Sequence, residues 1–131
     1  MSHREPKYGG MGRSACLILL LGLLAIWLLA GCTEPTEQER VARGEQVYIS
    51  QCSHCHQPEG QGYMQVFPPL AGNPIVTLHD PSPVIEIVLH GRGAMPSYYS
   101  ALTIQDRAAV ISFVRKAWGN NASAISTWQA Q

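Results

Sequence analysis

Cys52-Ser53-His54-Cys55-His56 is the chain's densest run of side chains able to do chemistry. Two thiols three residues apart, followed at once by an imidazole, point to three chemistries: a redox disulfide, a zinc ion or a covalently bound porphyrin. A redox C-x-x-C belongs on a strand–helix–strand pattern, which is absent around this run. A zinc ion takes four ligands, and the sequence offers no second C-x-x-C and no separate His pair. Covalent haem attachment matches the motif as it stands. Thiols at this spacing reach the two vinyl groups on neighbouring edges of one porphyrin. His56, the next residue, then comes under the iron with a neutral imidazole nitrogen. The expected cofactor is therefore one haem c, with thioether bonds to Cys52 and Cys55 and with His56 on the metal.

The ligand opposite His56 decides between electron transfer and small-molecule chemistry. Met64, His79, His90 and Met95 are the candidates downstream. Met95 is the expected ligand. It sits between glycines in Gly91-Arg92-Gly93-Ala94-Met95, where backbone can approach the porphyrin, and Pro96 fixes the chain after it. Met64 lies only eight residues past His56, which makes the far haem face hard to reach. His79 and His90 read as solvated or locally hydrogen-bonded. His90 as ligand, and an open iron site, are the alternatives.

The elements that would position these groups are helical. From about Gln38, residues Val41, Gly44, Val47, Tyr48 and Cys52 fall on one face at helical spacing, with charges opposite. Residues 57–83 are rich in Gly and Pro and read as a long loop. A short helix follows over Ser82–His90, with Pro83 in its first turn and Gly91 after its end. Thr103 caps a last helix, with Asp106 in the capping-box position. Ala109, Val110, Phe113, Val114 and Ala117 form its apolar face, and Gly119 ends it. Residues 120–131 read as a flexible tail. Three such helices leave the interior of a small domain underfilled, and a large rigid apolar cofactor removes that difficulty. No repeat and no strand is evident.

The first 31 residues hold Arg4, Lys7 and Arg13 against Glu5, a net of +2; the rest holds six Lys or Arg and eight Asp or Glu, a net of −2. No basic stripe exists, so nucleic acid is not an expected partner. Residues 17–30 are apolar throughout. As a helix they would reach about 21 Å, short of the roughly 30 Å hydrocarbon core, so they read as the apolar part of an export signal. The run closes on Leu29-Ala30-Gly31-Cys32, which resembles the lipobox of bacterial lipoproteins. That resemblance implies cleavage before Cys32 and a diacylglyceryl group on its thiol. An uncleaved membrane anchor is the alternative. The expected organisation is a signal peptide over 1–31, a lipidated tether over 32–38, a haem domain over 39–119 and the tail. The domain would stand on the extracytoplasmic face of a bacterial membrane.

Over about residues 38–118 the chain resembles class I cytochromes c. The resemblance rests on Cys52-x-x-Cys55-His56, Phe67-Pro68-Pro69-Leu70-Ala71-Gly72 and Gly91-x-Gly-x-Met95-Pro96. It extends to Gly44 and Tyr48 in the first helix, and to Val110 and Phe113 in the last. It implies an all-α, cytochrome c-like fold of three to four short helices wrapped around one haem, with Gly44 at the crossing of the terminal helices. It also implies that the Pro68 carbonyl accepts a hydrogen bond from His56 and that Leu70 packs on the haem. Arg92 and the Tyr98–Tyr99 pair flank the Met95 loop as candidate donors to the haem propionates. The implied function is electron transfer between redox proteins, without catalysis by the chain itself. The alternatives are a haem subunit held permanently in a membrane dehydrogenase or oxidase, and a sensor or peroxidase-like protein with an open distal site.

Overall fold

The computed structural model describes residues 34–131. The apolar run 17–30 and Cys32 lie outside the described residues. The first helix, α1, spans Glu37–Gln51. Thr36 caps it: its hydroxyl accepts from the Glu39 amide at 3.3 Å, and the Glu39 carboxylate accepts from the Thr36 amide at 2.8 Å. This reciprocal pair satisfies two amides that the first helical turn leaves without partners. A break at Cys52 separates α1 from a four-residue turn of helix, α2, over Ser53–His56. Two further helices, α3 over Pro74–Thr77 and α4 over Ser82–His90, precede the longest late helix, α5, over Ile104–Lys116. A terminal 3₁₀ turn covers Thr127–Ala130. Among the described residues there is no β-strand, only the isolated bridges Tyr63–Phe67 and Arg92–Met95.

Helices α1 and α5 pack directly on each other, and Gly44 makes that possible. A Cβ at Gly44 would lie 2.6 Å from the Ala109 carbonyl carbon and 2.7 Å from Phe113 Cβ. Any side chain there would force the helices apart. Beside this contact Tyr48, Phe113 and Trp118 form an aromatic cluster with ring centroids 4.9–5.4 Å apart. These tilted and edge-on pairs add to the stabilisation from area burial. The Tyr48 hydroxyl donates to the Gln57 carbonyl at 2.5 Å, so the cluster also holds the chain just after the haem motif.

The structure corrects two sequence expectations. The long loop contains helix α3. Asn73 caps it, accepting from the Ile75 amide at 2.9 Å, and Pro74 starts it. The Asn-Pro pair is a helix start that reads on its own as a rigid turn. The second correction concerns residues 120–131, which are not a flexible tail. Ile125 and Ala130 are fully buried, and the segment packs on α5. The Ser112 hydroxyl donates to the Ile125 carbonyl at 3.2 Å. Arg115, only 1% exposed, donates to Ser123 O through Nε and to Val76 O through Nη1, both at 2.8 Å. Two charge-assisted bonds, one to a carbonyl of α3 and one to the terminal segment, offset the burial of its guanidinium.

Candidate functional site

Between these elements lies a cavity of about 580 Å³, mostly apolar. That volume falls in the range of cofactor and ligand sites. Cys52, Cys55 and His56 line it from the end of α1 and from α2. Pro68 and Leu70 line it from the following loop, and Arg92, Met95 and Tyr98 from the loop after α4. Val84, Val88, Val110, Ile111 and Val114 complete the wall from α4 and α5. Apart from Tyr99, which is exposed and lies off the cavity wall, every residue in the haem-site expectation borders one space. Met64, His79 and His90 do not. Met64 is 75% exposed, and the exposed His90 lies 3.4 Å from Glu86 on its own helix.

The local backbone explains how the proximal side is built. Gly62 has φ +70°, and a Cβ there would come within 2.8 Å of Pro69 N and Pro68 C. Only glycine lets the chain fold this tightly against Pro68. The Gly60 carbonyl accepts from both the Leu70 and Ala71 amides, at 2.7 and 3.0 Å. The result places the Pro68 carbonyl 2.9 Å from His56 Nδ1. The carbonyl can only accept, so Nδ1 carries the proton and Nε2 is the nitrogen with a free lone pair. From the far side Asn120 clamps the same loop. Its Oδ1 accepts from the Gly72 amide at 2.8 Å, and its Nδ2 donates to Leu70 O at 3.0 Å and Val114 O at 2.6 Å.

The Met95 loop is equally fixed. Arg92 and Met95 exchange backbone hydrogen bonds of 3.0 and 3.1 Å across a tight turn. The Ser97 hydroxyl donates to Leu89 O at 2.5 Å, and the Tyr98 amide donates to Val88 O at 3.0 Å. The Tyr98 hydroxyl donates to the Gln51 carbonyl at 3.0 Å, which ties the methionine loop to the residue before Cys52. Sequence reasoning missed Ser97, Gln51 and Asn120. They act through backbone carbonyls or amides, and such contacts leave no periodic or spacing signal.

The thiols of Cys52 and Cys55 are free, Cys52 half-buried and Cys55 exposed. Burial pushes the Cys52 thiol up to about 11, and the neighbouring Cys55 adds to the shift. A dithiol redox centre needs the opposite, a thiol lowered towards neutrality. The donor set of two thiols, one imidazole and one thioether around an apolar space fits haem c.

Comparisons agree with this geometry. The family model for "Cytochrome C oxidase, cbb3-type, subunit III" matches residues 39–114. The cytochrome c subunit of the quinone alcohol dehydrogenase of Gluconobacter oxydans is 40% identical over 90 residues, covering 60% of this chain and 19% of that protein. A cytochrome c-552 of Thermus thermophilus is 30% identical over 124 residues, 84% of this chain and 74% of the relative. The crystal structure of cytochrome cL from Methylophaga aminisulfidivorans superposes with a TM-score of 0.53 at 21% identity, covering 85% of this chain and 69% of that one. The site and the fold define a covalent haem c domain of the electron-transfer class. The chain belongs to the cytochrome c family. It spans about a fifth of the length of the dehydrogenase subunits it matches.

Proposed function

We propose that this domain is a membrane-tethered monohaem electron carrier. In this reading Cys52 and Cys55 would hold a haem covalently through their sulfurs, and His56 and Met95 would ligate its iron. The observation that carries it is the meeting of the Cys52–His56 run with Met95, from a segment about 40 residues on, at one apolar cavity. When bound, the haem supplies a one-electron Fe(III)/Fe(II) couple. The chain's own contribution is to hold and shield. Pro68 fixes the His56 ring by its Nδ1 proton and leaves Nε2 to donate its lone pair. Tyr98 and Ser97 hold the loop that presents the Met95 thioether. Val84, Val110 and Val114 exclude water, which favours the less charged, reduced state. Arg92, at the cavity wall, is the candidate donor to the haem propionates in this reading; Tyr98 is not, because its hydroxyl proton goes to the Gln51 carbonyl.

The run 17–30 and Leu29-Ala30-Gly31-Cys32 support export, cleavage before Cys32 and lipid attachment there. Two acyl chains give stable anchoring where one is marginal. Among the described residues no helix is long and apolar enough to cross a membrane. The quinone alcohol dehydrogenase relatives support a membrane dehydrogenase as redox partner, either in passing or as a fixed complex. Solubilised membranes would separate the two: a fixed subunit co-purifies with its dehydrogenase at high salt, and a free carrier does not.

Absorption spectra of the oxidised protein test the ligand assignment. Wild type is expected to show the weak far-red iron–sulfur band, and Met95→Ala to lose it. A band unchanged in the variant would reject Met95.

A further inference from the structure

Apart from the haem cavity, the described surface has a groove lined by Pro35, Glu39, Arg40, Arg43, Gln105 and Thr127. It brings the start of the domain beside its last turn. Arg40 joins the two: Nη1 donates to Ile125 O at 2.8 Å and Nη2 to Pro35 O at 3.0 Å. Next to Thr127 stands Trp128, 71% exposed. Its turn is firmly held. The Gln129 side chain accepts from the Ser126 amide and hydroxyl, both at 2.9 Å, and Ile125 and Ala130 are buried on either side. A rigid, docked turn thus presents an indole outward.

We propose that Trp128 and the groove beside it are a lipid-facing surface, seated at the headgroup–acyl boundary of the bilayer that holds Cys32. The inference rests on the lipoprotein reading. Pro35 is three residues from Cys32, a reach of about 10 Å at full extension. The groove must then lie next to the lipid surface. An indole, apolar with one N–H donor, favours that boundary over water or hydrocarbon. The face does not depend on anionic lipid. Arg43 is paired with Asp106 at 2.8 Å, and the opposite charges of Arg40 and Glu39 cancel, so the face carries no net charge. Helix α5 lines the haem cavity with Val110, Ile111 and Val114, and holds the terminal segment with Ser112 and Arg115.

Hydroxyl-radical footprinting tests this on the full mature protein, haem-loaded and lipidated, in vesicles of phosphatidylcholine alone. Trp128 oxidation should fall roughly fivefold against the same protein cut free of its tether, as burial in the boundary requires. Met64 and Tyr63 should be oxidised equally in both. The protection should persist in 1 M salt, because it does not depend on charge. Equal oxidation of Trp128 in lipidated and freed protein would overturn the inference while leaving the lipoprotein reading intact. Protection that appears without vesicles would assign the face to self-association and also overturn it. A mature protein whose intact mass shows no diacylglyceryl group at Cys32 would overturn both.

Discussion

Asp106 sits where two helices meet and has partners on both. Its Oδ1 accepts from Arg43 Nε on α1 at 2.8 Å, and its Oδ2 accepts from the Thr103 hydroxyl at 2.7 Å. Partial burial acts to raise its carboxyl pKa, but the hydrogen bonds from Arg43 and Thr103 outweigh it, and the value falls below 3.8. A carboxylate with a folded pKa below its unfolded one adds stability above the unfolded value. That stability is lost as pH falls through the folded value. Asp106→Asn should therefore cost about 0.5–1 kcal/mol at pH 7, the range for a partly exposed pair and cap. The gap from wild type should narrow below about pH 4. Urea unfolding of both proteins at pH 7 and pH 3 checks this; an unchanged gap would remove the carboxylate's charge from the account. At His56 a single carbonyl, that of Pro68, selects the ring nitrogen left to bind metal.

The helices divide the labour unevenly. Most of α5 is buried, including Arg107, Ser112 and Arg115, because it is packed by α1, the cavity wall and the terminal segment. Its contact with α1 depends on one missing side chain. Gly44→Val should destabilise the folded protein by about 1–3 kcal/mol, the usual cost of overpacking. The expected signature in denaturant is a lower midpoint with the slope unchanged. An unaltered midpoint would contradict the close α1–α5 approach.

These helices also show what the sequence could reveal. Helices α1, α4 and α5 announced themselves by apolar period, and α4 and α5 also by Gly91 after the one and Thr103 before the other; the Thr36 cap of α1 lay in the stretch read as tether. The cavity residues announced themselves by the sulfur and imidazole chemistry of Cys52, Cys55, His56 and Met95. What stayed hidden depends on distant partners. Arg115 stands in the last turn of α5 with no sequence neighbour to pair with, and its guanidinium serves carbonyls of Val76 and Ser123. Ile125 in a polar stretch reads as loose, yet the face of α5 around Ser112 buries it. Asn120 opens the stretch read as a flexible tail, yet its amide locks the Leu70 loop. No local pattern encodes such contacts, because the groups that satisfy them lie up to 50 residues away.

Over residues 35–131 the domain is a shell of short helices around an apolar space. A domain of this size has a net stability of only about 5–15 kcal/mol, and a group that occupies the cavity in the folded state alone adds to it. The same enclosure keeps water from the redox centre and leaves Cys55 and the nearby rim at the surface, where a partner can approach. Electron-transfer encounters of this kind use small, transient interfaces. Holding the chain at a membrane would raise the effective concentration of membrane-bound partners without any new contact. All of this depends on a covalent porphyrin in the cavity. The most direct measurement is the intact mass, under denaturing conditions, of mature protein made in a host that matures c-type cytochromes. The account predicts the processed polypeptide plus one haem, reduced to the bare polypeptide mass when Cys52 and Cys55 are both replaced by serine. A wild-type mass with no haem added would contradict it.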